Sequence, residues 1–204
     1  MCWRGLDEME EFENPFRPLP VEICHKGDPP ARTFRVKLRR RQDGFGLNFD
    51  ATDSAVLLVG WVPDGGAASQ WNQKAQQKIQ PYDRLLEVNG SKLFDSAKML
   101  KAVSAADGLV EFCFERPRPQ EFTVHPRGEK LGVILKFSKV VPSLIVKALD
   151  TSGVLVKTNV ADAAVHLKPH DRIVQVNGES GDCIAMTRQL LEETVTLKCW
   201  QYST

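Results

Sequence analysis

The sequence reads KIQPYDRLLEVNG at residues 78–90 and HLKPHDRIVQVNG at residues 166–178. Both stretches contain a proline, an Asp-Arg pair and a Val-Asn-Gly ending at matching positions. A second pair of matching stretches precedes the first in the same order: GFGLNF at residues 44–49 corresponds to KLGVIL at residues 130–135. Repeats of this kind indicate that a whole structural unit has been duplicated.

Length and composition fit two small domains. The chain has 204 residues, of which 42% are hydrophobic and 26% charged, and its net charge of +1 predicts no general attraction to nucleic acid. The prolines of ERPRPQ, residues 115–120, favour a stiff, extended connection between the copies. The predicted organisation is a disordered, acidic, proline-containing arm at 1–30, a first domain at 31–116, a linker at 117–120 and a second domain at 121–202.

Several functional classes lack their signatures. No apolar run approaches the length of a membrane span, and the acidic start does not resemble a secretory signal, so we expect a cytoplasmic protein, peripheral at a membrane at most. The five cysteines are scattered without C-x-x-C spacing, which predicts reduced thiols and neither a metal nor a cofactor. Because no G-x-S-x-G, H-E-x-x-H or phosphate-binding loop occurs, we predict no catalytic residues and no enzyme activity.

The first copy reads as a small β-rich α+β domain. Residues 33–39 alternate apolar and basic side chains, as a half-buried strand does. Asp95 is placed to cap a helix that turns Met99 toward the core. Further strands are predicted at 47–50, 56–62, 85–88 and 109–114, and a polar helix at 67–78.

This order of elements resembles the PDZ family of peptide-binding domains. The first copy supplies Gly44-Phe45-Gly46-Leu47, Gly65-Gly66-Ala67-Ala68 and the Asp83–Gly90 segment, and the second supplies Leu131-Gly132-Val133 and Asp171–Gly178. The resemblance covers about residues 31–202. It implies two domains in tandem, each a small, partly open antiparallel β-barrel or sandwich capped by two helices.

The glycine turn has a physical interpretation. Such a turn can aim consecutive backbone N–H groups at a terminal carboxylate, and the rest of the peptide can pair beside the following strand. By resemblance, the carboxylate is bound by Gly44, Phe45, Gly46, Leu47 and Arg40, and the groove is lined by Asn48, Phe49, Ser96, Leu100 and Val103. Gly46→Asp is then expected to abolish binding in a folded protein. The alternative is that Gly44 and Gly46 simply close a tight hairpin.

The second copy departs further from the family pattern. Its groove is predicted at Lys130, Leu131, Gly132, Val133, Leu135, Cys183, Thr187 and Leu190. Lys130 replaces the first glycine, so it either alters the turn or helps to hold the carboxylate. Tyr82 and His170 stand where the family commonly has glycine, and Ser96 stands where members that prefer Ser or Thr in the ligand carry His.

The resemblance implies a non-enzymatic adaptor or scaffold that binds the carboxyl-terminal tails of other proteins, mainly through the first domain. Two alternatives remain: a structural pair with occluded grooves, and an anionic-lipid (phosphoinositide) binder working through Arg39, Arg40 and Arg41. In the arm, Asn14-Pro15-Phe16 resembles an EH-domain ligand and Arg17–Pro20 resembles half of an SH3-domain ligand. The arm could instead fold back over the basic strand and regulate the groove.

Overall fold

The computed structural model describes residues 32–138, 140–161 and 167–203, so the predicted arm, its two short motifs, Cys2 and Cys24 lie outside the described residues. In chain order the first domain contains β1 (Thr33–Arg39), β2 (Asn48–Asp50), β3 (Leu58–Trp61), α1 (Ala67–Lys74), β4 (Arg84–Val88), β5 (Ser91–Lys92), α2 (Ser96–Ala105) and β6 (Leu109–Glu115). The second contains β7 (Arg118–Val124), β8 (Val133–Phe137), β9 (Leu144–Leu149), α3 (Val154–Ala161), β10 (Arg172–Val176), β11 (Glu179–Ser180), α4 (Cys183–Gln189) and β12 (Val195–Gln201).

Each domain contains one antiparallel sheet. The strand order is β1-β6-β4-β3-β2 in the first and β7-β12-β10-β9-β8 in the second, with β5 and β11 paired to β4 and β10. Among the described strands neither sheet closes on itself, and β2 and β8 are edge strands. The β-rich α+β class is therefore confirmed, with two units of equivalent strand order.

Local patterns of the sequence produce the predicted elements, except that α1 ends at Lys74 and not at residue 78, because the Asn72 side chain bonds to the backbone of Ile79 beyond the helix. In β1, Val36 and Leu38 are buried while Arg35 and Lys37 face solvent. The Asp95 carboxylate accepts a hydrogen bond from the Lys98 amide and caps α2. Asp182 caps α4 in the same way, accepting from the amides of Ile184 and Ala185, a cap that the sequence interpretation did not assign.

The connection between the domains is shorter than the predicted linker. Only Arg116 and Pro117 lie between β6 and β7, and residues 118–120 pair in register with β12. Arg116 is fixed by two hydrogen bonds of 2.9 Å to the Asp83 carboxylate. Prolines can occupy an edge strand such as β7 because they need not donate to a neighbour there.

The outer faces of the two sheets pack against each other. At the centre, the Asp50 carboxylate on β2 accepts a 2.7 Å hydrogen bond from Ser138 Oγ and lies 3.5 Å from Arg172 Nη1 on β10. Asp50 and Arg172 are fully buried. Beside them, Val56, Leu58 and Tyr202 form a small apolar cluster. The two domains therefore share a buried interface of their own.

The two departures from the family glycine lie in this interface. Tyr82 and His170 have φ angles of +71° and +75°, the left-handed conformation that favours glycine. The Tyr82 hydroxyl donates to the Pro142 carbonyl oxygen at 3.2 Å, and His170 Nδ1 lies 2.9 Å from Asp53 Oδ2. Tyr82 and His170 occupy equivalent positions in the two repeats, and the side chain of each contacts the other domain. These contacts explain why a larger residue replaces glycine at both positions.

Next to His170, Asp171 predicts a pH-dependent stability. Burial raises the pKa of Asp171 to about 7, and its Oδ1 has no hydrogen-bond partner among the described residues. Because the pKa of this carboxyl is higher in the folded state than in the unfolded state, where it is about 3.9, the protonated group stabilises the fold. This contribution to the unfolding free energy is fully present below the unfolded-state pKa and is lost as pH rises through 7. Between pH 5 and 7.5 we expect Asp171→Asn to gain about 3 kcal/mol in unfolding free energy relative to the parent chain, at about 1.4 kcal/mol per pKa unit.

Urea unfolding of both chains at the two pH values measures this difference. Asp107→Asn, at an exposed position, is the control and should show no such change. A stability gap between Asp171→Asn and the parent that stays constant with pH would contradict the assignment.

Candidate functional site

The turn before β2 presents three unused backbone donors. The amides of Phe45, Gly46 and Leu47 donate to no other described residue. The Phe45 carbonyl accepts from the Ala68 amide at 3.0 Å, which ties the turn to the start of α1. Consecutive free N–H groups in a turn can hold an anion.

Gly44 has a different role from the one predicted. Its N–H and C=O both bond to the backbone of Arg41, at 3.0 and 2.9 Å, so Gly44 closes a tight turn. The hairpin interpretation therefore describes Gly44, and its amide is already used within the protein.

Gly46 is required for close packing as well as for its backbone angle. Its φ is +67°, and a Cβ at this position would lie 2.8 Å from the Cα of Gly66, just before α1. Gly132 and Gly153 repeat the arrangement in the second domain, where the Cβ would lie 2.4 Å from the opposite Cα. The sequence interpretation matched Gly66 to a family motif without finding this contact.

Arg40 is held by protein carbonyls. Its Nη1 donates to the carbonyl oxygens of Ser104 and Ala106 at 2.8 and 2.7 Å, at the carboxyl end of α2. The guanidinium also lies 5.7 Å from the centre of the Phe45 ring. Arg40 thus joins α2 to the glycine turn, whereas the sequence placed it as a ligand for the carboxylate.

The sequence interpretation places the peptide groove between β2 and α2. The outer edge of β2 has no paired strand among the described residues, and Leu47, Phe49 and Leu100 are half-buried. Phe45 and Val103, predicted to line the groove, are only 5% and 9% exposed and belong to the core. Leu47, Phe49 and Leu100 pack against this core and are the partly exposed apolar side chains of the predicted set.

Two further predicted groove residues occupy the ends of this region. Asn48 is half-buried at the start of β2. Ser96 begins α2 and is buried, and its amide donates to the Ser54 carbonyl at 2.9 Å. Gly44, Arg40 and Ser96 bond to the protein backbone, and the predicted apolar residues share one cluster: Phe45, Leu47, Phe49, Leu100 and Val103.

The second domain repeats the site with different side chains. The amides of Leu131 and Gly132 donate to no other described residue, and the Leu131 carbonyl accepts from Leu155 as Phe45 accepts from Ala68. The Lys130 side chain is exposed beside the turn. Four of the residues predicted to line this groove are half-buried: Val133, Leu135, Cys183 and Thr187. Leu190 is buried in the core and corresponds to Val103.

The arginine run is mostly engaged in the fold. Arg41 donates to the Gly65 carbonyl and to Gln70 Oε1, at 2.9 and 2.6 Å, while Arg39 is exposed. A shallow cleft of about 610 Å³ lies between β1 and α1, with Lys37, Arg39, Arg41, Trp71 and Lys74 among its lining residues. Because Arg40 and Arg41 stabilise the loop, they are less free for lipid headgroups than the sequence suggested.

The three cysteines among the described residues are unpaired and buried or partly buried. Burial raises the pKa of Cys113, Cys183 and Cys199, which keeps these unpaired thiols protonated. Within the described ranges no group of three or more His, Cys, Asp or Glu residues is placed to bind a metal, and no helix is long and apolar enough to cross a membrane.

No protein-family model and no curated protein matches the chain. Among solved structures, a PDZ domain from choanoflagellate SHANK1 bound to a GIRK3 peptide is 27% identical, covering 42% of this chain and 93% of that one, with a TM-score of 0.36.

Two tandem structures match a larger share. INAD PDZ45 in complex with NORPA CC-PBM is 11% identical over 86% of this chain and 94% of that one, with a TM-score of 0.37. INAD PDZ45 in complex with an NG2 peptide is 14% identical over 89% and 95%, also with a TM-score of 0.37. The same strand order and the same close contact between a glycine turn and the start of a helix occur in both domains.

Proposed function

From an architecture of two PDZ-like domains in tandem, we propose that the chain is a non-enzymatic adaptor that binds the carboxyl-terminal tails of partner proteins, mainly through the first domain. The observation that carries the proposal is the turn at Phe45, Gly46 and Leu47. Its unused amides lie at the head of an edge strand that is open among the described strands, next to the partly buried apolar side chains of Leu47 and Phe49.

The geometry suggests how such a tail would bind. Its carboxylate would accept hydrogen bonds from the free amides, and its last side chain would contact Leu47 and Leu100. The preceding residues would pair antiparallel beside β2 and satisfy its open edge. Backbone pairing supplies affinity, and the groove selects an apolar last residue.

The first domain is favoured because its groove is more apolar. Thr187 stands in α4 where Leu100 stands in α2, and Val133 stands where Leu47 does. The smaller apolar surface predicts weaker capture of a large last side chain by the second domain. Blocked grooves are disfavoured because the domains contact each other through their outer faces, leaving β2 and β8 as open edges among the described strands.

The direct test is a screen of the purified chain against random carboxyl-terminal peptides, each paired with its carboxyl-amidated form. We expect selective capture that is lost on amidation, because an amidated end lacks the negatively charged carboxylate to which the free N–H groups would donate. Capture that ignores amidation, or no capture, would reject the proposal.

Leu100→Lys should weaken the binding of apolar-ended peptides about 10- to 100-fold, since it removes an apolar contact worth roughly 1.5–3 kcal/mol. The fold should survive, because Leu100 is only half-buried. Isothermal titration calorimetry with a captured peptide measures the affinity, and circular dichroism checks the fold. The matched control is Ala105→Lys, an exposed position on the same helix. Equal affinities for the two variants would exclude Leu100 from the groove.

A further inference from the structure

The two edge strands meet at their carboxyl ends. Aligning the glycine turns makes Asp50 equivalent to Lys136, and Thr52 equivalent to Ser138. Asp50 accepts from Ser138 Oγ at 2.7 Å, and Lys136 Nζ donates to the Thr52 carbonyl at 2.6 Å. Equivalent residues thus contact each other reciprocally, as they do across an approximate two-fold axis.

The direction of a bound tail makes this contact significant. A tail that runs antiparallel to β2 has its carboxylate at the glycine turn and leaves the groove at the Asp50 end of the strand. A tail beside β8 leaves its groove at Phe137. Tails in the two grooves would therefore both emerge at the contact between the domains.

We infer that the chain binds both tails of a partner that presents two different carboxyl-terminal tails side by side, as a dimer of two related subunits does. The inference rests on the proposed function and extends it from one groove to two. The approximate dyad relating the two grooves matches the approximate dyad that relates two similar subunits.

The distance between the exits of the two grooves suits a partner with two neighbouring tails. Stacked sheets lie about 10 Å apart and neighbouring strands about 4.8 Å apart, so the two tails leave within roughly 20 Å of each other. The buried Asp50–Arg172 contact and the Tyr82 and His170 contacts hold the two exits in place. A fixed separation lets the second tail bind within the same complex once the first is bound.

The second groove has the features needed to take part. Its edge strand β8 is open among the described strands, and the amides of Leu131 and Gly132 are unused. Exposed Lys130 adds a positive charge beside the turn. Val133 and Thr187 are half-buried, which leaves room for a smaller last side chain than the first groove takes.

The test joins two tails in one molecule. Screening the Thr187→Lys and Leu100→Lys chains against ten-residue carboxyl-terminal peptides selects one peptide for the first groove and one for the second. The two are joined amino end to amino end through a Gly-Ser spacer of about 14 residues, whose average span is about 20 Å. The matched control is the same molecule with its second-groove tail amidated.

On the parent chain, we expect the joined molecule with two free carboxyl ends to bind at least 100-fold more tightly than the control whose second-groove tail is amidated. Analytical ultracentrifugation should find one joined molecule for each chain. Thr187→Lys should remove the gain and leave first-groove binding unchanged. The comparison of acid with amide on the parent chain needs no variant, so a folding defect in Thr187→Lys cannot obscure it.

Three results would overturn the inference. In the first, the two joined molecules bind the parent chain with equal affinity. In the second, one joined molecule bridges two chains. In the third, the Leu100→Lys chain captures no peptide in a way that depends on its free carboxyl end. Each is distinct from failure of the proposed function, which would appear as no acid-dependent capture of single peptides by the parent chain.

Discussion

Asp50→Ala is expected to destabilise the chain by about 3–5 kcal/mol, because it leaves the Arg172 guanidinium buried without a counter-charge. Arg172 is fully buried, and its Nε and Nη2 atoms already lack partners among the described residues. The change also removes the acceptor of Ser138 Oγ. Urea unfolding at neutral pH measures the loss.

Two controls separate the buried charge from general damage to the interface. His170→Ala breaks a contact at a half-exposed side chain and should cost less than about 1 kcal/mol. Replacing both Asp50 and Arg172, by Leu and Met, should cost less than Asp50→Ala alone, since no charge is then left unpaired. A loss below about 1 kcal/mol for Asp50→Ala would contradict the assigned role of this pair.

Gly46→Ala should be the second most damaging change, at roughly 2–5 kcal/mol from left-handed strain and overpacking together. The added Cβ would meet the backbone of Gly66 at 2.8 Å, where no flexible side chain can move aside. Thermal and urea unfolding would show the loss in the first domain.

Gly108→Ala is the matched control for this change. Gly108 has a φ of +69°, close to that of Gly46, but a Cβ there meets nothing within 4 Å. It should therefore cost only the backbone strain, about 1 kcal/mol. If the two variants lose equal stability, the Gly46–Gly66 contact is not the reason for the glycine.

The same contact corrects the use of Gly46→Asp as a test of binding. The sequence led us to expect a folded protein without affinity, but the structure shows that any side chain at this position strains the fold. Loss of binding in that variant would not distinguish an emptied site from an unfolded domain. Leu100→Lys is the sharper experiment.

Features set by neighbouring residues could be predicted from the sequence. The alternation in β1, the cap at Asp95 and the element order of the first domain all depend on local patterns. The turn at residues 44–47 was also located correctly, because positive φ angles need glycine. The roles of Gly44 and Arg40 could not be predicted, because their hydrogen bonds depend on residues that only folding brings near.

The interface could not be read from the sequence. Asp50, Ser138 and Arg172 lie far apart in the chain, and no local pattern marks a carboxylate that will be buried by another domain. One signal was present but not interpreted. Tyr82 and His170 occupy left-handed positions where glycine costs less, which indicates that their side chains are needed for contacts elsewhere.

The short connection at Arg116 and Pro117 changes how strong the interface needs to be. With so little chain between β6 and β7, the two domains stay at a high effective concentration relative to each other, of millimolar order or above. A contact too weak to join separate molecules can then keep the domains docked. Lengthening the connection would dilute each domain with respect to the other and release the docked arrangement without changing a single interface residue.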